Sequence, residues 1–433
     1  MDFTLGIRRE DKNKWERRVP LIPQHLKELK EKHNVDSIVQ TSPIRIFSDK
    51  EYEDTGTKVQ ENLSSCTVVF AVKEIPINFF EPNKIYAFFS HTIKGQKYNM
   101  PMLKKMMDLG CTLIDYEKIV DKHGYRLVFF GRFAGLAGMV DTLWAFGQRL
   151  KSRKIDSPLN EIKQTIHYKN HLEEIKEQLE KIGKEIEQQG LPESLTPLIV
   201  GFAGYGNVSK GAQEILDILP IKEISPKEIK MVYENPSKNC IYKVIFKEED
   251  LVESISSDDG FDLQDYYNHP EKYQSIFDRY VPDLTILMNC IYWSNKYPRL
   301  ITKNFVKNYA KAKLRLQVIG DISIDINGAI EFTEKSTSPG NPVFVYNPSL
   351  DSIIDGYEGD GIVIMGVDNL PCELPKESSQ AFSKSLLPFV PAIVKADFSV
   401  NFESLALPSE IKNAVVLHRG KLTPNYKYIN KFL

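Results

Sequence analysis

From the N-terminus to about residue 130, short apolar runs alternate with stretches whose apolar positions recur every three or four residues. The runs Thr4 to Ile7, Ser37 to Gln40, Thr67 to Val72, Ile85 to Phe89 and Thr112 to Asp115 are strand-length and rich in Val, Ile and Phe. Pro23 to Lys32 and Pro101 to Leu109, between them, carry helical spacing behind a proline start. Such alternation predicts a parallel sheet wrapped by helices.

A longer helix is expected over Gly131 to Leu150, with Ala134, Gly135, Ala137 and Gly138 offering a surface on which another backbone can pack closely. The Lys/Glu-rich stretch Asn160 to Gln189 places Leu172, Ile175, Leu179, Ile182 and Ile186 on one face, which predicts an amphipathic helix packed on its own domain rather than a coiled-coil seam. A second strand-helix series begins at Pro197, after Gly190-Leu-Pro192, and resumes at Leu284 to Cys290 and Leu316 to Ile322. Residues 222 to 282 between are polar and resemble an insertion.

The expected fold is α/β: two Rossmann-like domains with parallel sheets flanked by helices and an active-site cleft between them. Residues 1–138 and 376–433 are assigned to a catalytic domain, and 139–375 to a dinucleotide-binding domain with a helical insertion near 160–190 and a polar one near 222–282.

Composition narrows the function classes. With 42% hydrophobic and 26% charged residues and a formal charge of -2 over 433 residues, the chain has the usage of a globular protein and no charge excess suited to nucleic acid. Its apolar runs fall far short of the roughly 18 residues that cross a bilayer, so no membrane partner is expected. Neither a secretory nor a transit-peptide pattern opens the sequence, which points to a cytoplasmic location. Five cysteines, odd in number and far apart, suggest neither a disulfide framework nor a metal knuckle, and His167 and His171 lack a third ligand, so no metal is expected.

Pro197-Leu-Ile-Val-Gly-Phe-Ala-Gly-Tyr-Gly-Asn-Val-Ser209 reads as strand, glycine turn and helix start. Gly204 and Gly206 let backbone N–H groups approach a pyrophosphate; Ser209 stands where a third glycine is usual. Glu223 is the nearby acid for a ribose hydroxyl, but flanking Lys222 and Lys227 suit a 2′-phosphate, so NADP(H) is favoured and NAD(H) stays open.

In the first domain, Arg17 and Arg18 follow a strand end, where a guanidinium suits a substrate carboxylate. Lys73-Glu74 and Ser90-His91 follow two more strands, and the carboxyl edge of an open α/β sheet is where ligands bind. A lysine among cations and a histidine both exchange protons near neutral pH. Glu117 and Arg126, in and beyond Tyr116-Glu117, continue the theme.

Segments Arg8-Arg-Glu-Asp-Lys-Asn-Lys-Trp-Glu-Arg-Arg18, Ala87-Phe-Phe-Ser-His-Thr-Ile-Lys94, Ile114-Asp-Tyr-Glu-Lys118, Gly206-Asn-Val-Ser-Lys-Gly-Ala212, Asn289-Cys-Ile-Tyr-Trp293 and Asp368-Asn-Leu-Pro371 together resemble one family over essentially the whole chain. It is the lysine-ketoglutarate reductase half of the bifunctional aminoadipic semialdehyde synthases, related to lysine-forming saccharopine dehydrogenase and, more distantly, alanine dehydrogenase. The resemblance implies an oxidoreductase that condenses lysine with 2-oxoglutarate and reduces the imine to saccharopine, or the reverse. By that likeness Lys73 and His91 are the acid–base pair; Arg18 and Arg126 hold substrate carboxylates; Glu74 and Glu117 tune the local charge. Cofactor contacts are implied at Gly204, Tyr205, Gly206, Asn207, Val208, Asn289, Ile291 and Tyr292. Asp321 is implied to lie beside nicotinamide and substrate, with Asp325 ranked below it. The family's second dehydrogenase unit is not expected, since the sequence stops at Leu433; the resemblance leaves a mitochondrial location possible, and a second copy of the chain is a candidate partner. An ammonia-releasing amino-acid dehydrogenase and a non-catalytic nucleotide-binding homologue are the competing readings.

Overall fold

A computed structural model describes residues 4–169, 171–256, 260–309 and 314–433. Met1–Phe3, Asn170 of the Lys/Glu-rich stretch and Ser257–Asp259 of the polar stretch lie outside the described residues. The chain forms two compact units, residues 1–130 with 375–433, and residues 131–374.

The first 130 residues supply strands β1 (Thr4–Ile7), β2 (Asp36–Val39), β3 (Lys58–Val59), β4 (Val68–Phe70), β5 (Ile85–Phe88) and β6 (Thr112–Asp115). Residues 131–374 supply β7 (Ile199–Ala203), β8 (Ile221–Ile224), β9 (Ile241–Phe246), β10 (Val252–Ser254), β11 (Tyr273–Ser275), β12 (Ile286–Asn289), β13 (Val318–Asp321), β14 (Val343–Asn347), β15 (Ser352–Asp355) and β16 (Ile362–Met365). The returning chain adds β17 (Val415–His418) and β18 (Lys421–Leu422).

The first unit holds one sheet in the order β18-β17-β6-β5-β4-β1-β2-β3, parallel except for β17 and β18. The second holds the order β15-β14-β16-β13-β12-β7-β9-β8, parallel except where β14 pairs antiparallel with β15 and β16. Their central strands are wholly buried, as strands covered by helices on both faces must be. In the first sheet β2 and β3 lie on one side of β1 and β4 to β6 on the other; in the second, β9 and β8 lie on one side of β7 and the chain resumes at β12 on the other. That reversal opens a crevice at the carboxyl ends of β1 and β4 in one unit and of β7 and β12 in the other.

The helix Gly131–Ser152 belongs whole to the second unit, so the units part at 130/131 rather than at 138/139. Its small residues are the reason: a Cβ on Gly135 would sit 2.0 Å from the carbonyl oxygen of Val208, and one on Gly211 2.1 Å from that of Arg132. The helix therefore lies backbone to backbone on Asn207–Leu216. Ser209 is buried too, but the close approach expected of the fingerprint's third glycine falls to Gly211.

Two more expectations are corrected. The amphipathic helix runs His171–Gln189, not from Asn160; Pro158–Glu161 and Thr165–His167 are short 3-10 turns. Its face Ile175, Leu179, Ile182 and Ile186 is buried, as the spacing requires. The stretch 222–282 is not all insertion, because β9 is an inner strand pairing with β7. Lys243 disguises it in the sequence, and Asp217 at 2.8 Å and Glu223 at 3.0 Å neutralise that lysine in the fold.

Candidate active site

In the first unit, the crevice between β1 and β4 is lined by the segment after β1, which carries Glu10, Lys12, Glu16 and Arg18, and by Lys73 and Glu74 after β4. His91 follows the neighbouring strand β5 and Glu117 follows β6.

Glu74 is the hub. One carboxylate oxygen lies 2.6 Å from His91 Nδ1, and the other 3.0 Å from Lys12 Nζ. Burial by itself would raise this carboxyl, but the His91 hydrogen bond, its charge and the Lys12 ammonium overcome that and hold it well below the usual carboxylate range. An ionised Glu74 only accepts, so Nδ1 of His91 carries its hydrogen and Nε2 is the ring nitrogen left to exchange a proton. His91 adopts φ 49°, a left-handed conformation uncommon outside glycine, and Asn99 Nδ2 steadies the turn by donating to Ser90 O at 3.0 Å.

Lys73 feels the same cluster. Burial, with Arg18 and Lys12 close by, weakens its hold on its proton, against the opposing pull of Glu16 and Glu74. The structure thus brings Lys73 and His91 to one neighbourhood through Glu74, within a single unit.

Arg18 is not the open guanidinium expected of a carboxylate receptor. Its Nε and Nη2 donate to the two oxygens of Glu16 at 2.7 and 2.6 Å, both side chains are buried, and the guanidinium lies 4.2 Å from the Phe130 ring centre. A charge held in that way shapes the field at Lys73. Arg126 is half-exposed and bonds Glu117 at the mouth of the Val120–Arg126 bridge, where an incoming carboxylate can compete for it. Below, Phe89, Tyr116, Phe130 and Phe382 form an aromatic floor, with Phe130 and Phe382 stacked at 4.5 Å. Sequence reasoning passed over Glu10, Lys12 and Glu16; the density of charge in one loop was their only signal.

In the second unit, the glycine turn sits between β7 and the helix Asn207–Leu216. Gly204 has φ +93°, and a Cβ there would meet Ile291 Cγ2 at 3.0 Å and the Cys290 carbonyl at 3.3 Å; around Gly206 the space is open. No side chain caps that helix at Gly206, so the first-turn N–H groups of Asn207 and Val208 have no side-chain acceptor at the cap. A narrow turn, an open flank and an uncapped helix end fit a pyrophosphate. Tyr205, Ile291 and Tyr292 flank the turn with partly or largely exposed side chains.

Two implied cofactor residues are hydrogen-bonded to each other. Asn289 is buried and donates to Asp321 at 2.8 Å, and Asp321 also accepts from Thr333 Oγ1 at 2.6 Å and from the Ile324 N–H at 3.1 Å. Burial raises the Asp321 carboxyl to about 6 against those bonds. Asp321 therefore faces inward as a brace for the Ile324 turn, whose φ of 45° is a true outlier for a β-branched residue, and Asp325 is the more exposed of the two. Glu223, the expected ribose ligand, lies on the outermost strand paired with Lys243. The acid that follows the strand beside β7 is Glu248: Tyr205 donates to it at 3.1 Å and Tyr267 at 2.6 Å. Because β8 intervenes in sequence but not in space, counting residues from the glycines misses it.

Known proteins carry the same plan. Residues 6–137 match the alanine dehydrogenase/PNT N-terminal domain, and residues 271–425 the alanine dehydrogenase/PNT C-terminal domain. The chain belongs to the alanine dehydrogenase/PNT family. Within it, the chain is 39% identical to an alpha-aminoadipic semialdehyde synthase of Arabidopsis thaliana, over 98% of this chain and 41% of that protein. A Bos taurus protein named alpha-aminoadipic semialdehyde synthase, mitochondrial, is 36% identical over 99% of this chain and 47% of its own length. The chain thus spans about half the length of these relatives. A saccharopine dehydrogenase (NAD(+), L-lysine-forming) of Emericella nidulans is 26% identical over 81% of this chain and 82% of that one. The fold is that of an L-alanine dehydrogenase structure, with TM-score 0.64 over 99% of this chain and all of that one at 18% identity. No described helix is long and apolar enough to cross a membrane.

Proposed function

We propose that this chain is an oxidoreductase that joins L-lysine to 2-oxoglutarate and reduces the resulting imine with NAD(P)H to saccharopine, or runs that sequence in reverse. The observation that carries the reading is the Glu74-centred cluster, where a histidine of fixed tautomer and a lysine of weakened basicity share one sheet edge. The names of relatives 39% and 26% identical point to the same chemistry.

The substrate ε-amine must lose a proton before it attacks the keto carbon, and the resulting carbinolamine must lose water. Lys73, whose surroundings favour the neutral amine, accepts the first proton; His91, with Nε2 free of the Glu74 bond, delivers one to the departing hydroxyl. Glu74 stabilises the imidazolium when it forms. Arg126, with its partner Glu117, receives a carboxylate of the keto acid, while the Glu16–Arg18 pair sets the potential at Lys73 without leaving its own bond. The aromatic floor keeps one side of the site dry, which protects an imine. When bound, a nicotinamide coenzyme would supply the hydride; the backbone of Gly204 to Val208 would hold its pyrophosphate and Glu248 its ribose. Turnover of lysine plus 2-oxoglutarate, followed by absorbance of NADPH and NADH separately, tests the reading. Oxidation only with pyruvate and ammonia would replace it with an amino-acid dehydrogenase.

A further inference from the structure

One buried acid at the first unit's crevice has no part in that chemistry. Glu10 is 5% exposed, and its carboxylate spans two consecutive backbone donors: Val72 N–H at 2.7 Å and Lys73 N–H at 2.9 Å. The parallel ladder of β1 and β4 ends at Ile7 and Phe70, with the Arg8 N–H on the Phe70 carbonyl at 2.8 Å. On its other side the chain still pairs with the β5 strand, through Ala71 N–H on Ala87 O and Phe89 N–H on Val72 O. Past the last β1 rung the two strands part, and a side chain takes over the work of a neighbouring strand. Without it, two N–H groups next to Lys73 would lose their acceptor in a dry setting, which is costly.

We propose that Glu10 is a positioning residue for Lys73, clamping the end of β4 as a two-oxygen acceptor so that the lysine side chain is launched from a fixed backbone. The proposal rests on the reading of Lys73 as an acid–base group. A carboxylate accepts both N–H groups strongly, whereas a protonated one keeps one good acceptor oxygen and its hydroxyl oxygen accepts only weakly. Burial, reinforced by Glu16, pushes the Glu10 carboxyl up to about 7 against its two backbone bonds and the Arg8 charge; the Tyr116 phenol also faces it. The clamp therefore tightens as pH rises through neutrality.

The test compares wild type, Glu10→Gln and Glu10→Asp by steady-state kinetics with lysine, 2-oxoglutarate and reduced coenzyme, by pH profile, and by amide hydrogen exchange over residues 68–75. Gln offers a single acceptor oxygen, so kcat falls roughly 10- to 100-fold and exchange at Val72 and Lys73 quickens at least about tenfold. The coenzyme KM stays within about twofold, and the near-neutral acid limb of kcat is lost. Asp, which keeps two acceptors on a shorter arm, recovers part of the rate. Exchange that does not change, or a kcat within twofold of wild type, overturns the clamp. Should the Gln variant not fold, the Asp variant decides by the same two readouts. A wild type with no lysine-dependent turnover would sink the proposed function instead, and exchange alone would still decide whether Glu10 holds the strand.

Discussion

The two sheets follow one plan, with eight strands each and a crevice where strand order reverses, yet their carboxyl edges are opposites. The first unit crowds Glu10, Lys12, Glu16, Arg18, Lys73, Glu74 and His91 around β1, β4 and β5; the second offers glycine, an uncapped helix end and a few exposed aromatic rings around β7 and β12. Burial explains why. Proton transfer needs groups moved off their ordinary affinities, and only close packing of charges in a poorly solvated place does that. A phosphate-binding turn needs backbone N–H groups, and every added side chain would obstruct them. Even Asp321, a buried acid at this edge, braces a turn with three hydrogen bonds of its own.

The contrast breaks most easily at Lys73 and His91. Replacing them together (Lys73→Met, His91→Gln) is expected to lower turnover by at least about three powers of ten. Coenzyme affinity, read by fluorescence titration, should hold within about twofold; full turnover in this variant would end the assignment.

The next effect lies in stability. Glu10 has its folded affinity raised from 4.5 to about 7, so its contribution is fully present below pH 4.5 and lost as pH rises through about 7, a change of about 3 kcal/mol. Denaturation midpoints between pH 4 and 8 should therefore fall less steeply in Glu10→Gln than in wild type, and parallel curves would show that the acid is ionised as freely folded as unfolded.

On the other edge, Gly204→Val forces a branched side chain into φ +93° against Ile291, for about 2 kcal/mol, or roughly thirtyfold weaker coenzyme binding. Lysine–2-oxoglutarate chemistry at saturating coenzyme should suffer much less. The smallest expected change is at Glu248: Glu248→Gln removes the charge beside Tyr205 and should shift the NADPH to NADH ratio of kcat/KM toward NADPH by about tenfold. An unchanged ratio would remove Glu248 from the ribose site.

Residues adjacent in the chain and patterned by period were legible. β1, β4, β5 and β6 follow from their short apolar runs, and the turn at Gly204–Gly206 from its place between strand and helix. β9 was hidden because a charged Lys243 breaks its apolar run, and only partners brought by folding make that lysine tolerable. β17, which joins the first sheet beside β6, comes from some 300 residues away in the chain, a pairing that no local pattern encodes.

By itself, then, the order of residues determined the strand-end chemistry: which groups stand just past an apolar run is a matter of counting, as at Lys73, Glu74 and His91. The tertiary structure decided what each of those groups is free to do. Arg18 is engaged by Glu16, Asp321 turned inward, Glu223 is paired with Lys243, and Glu10 became a strand's substitute. The physical reason is that hydrogen-bond partners and burial are long-range properties, set by which strands lie side by side rather than by which residues follow one another.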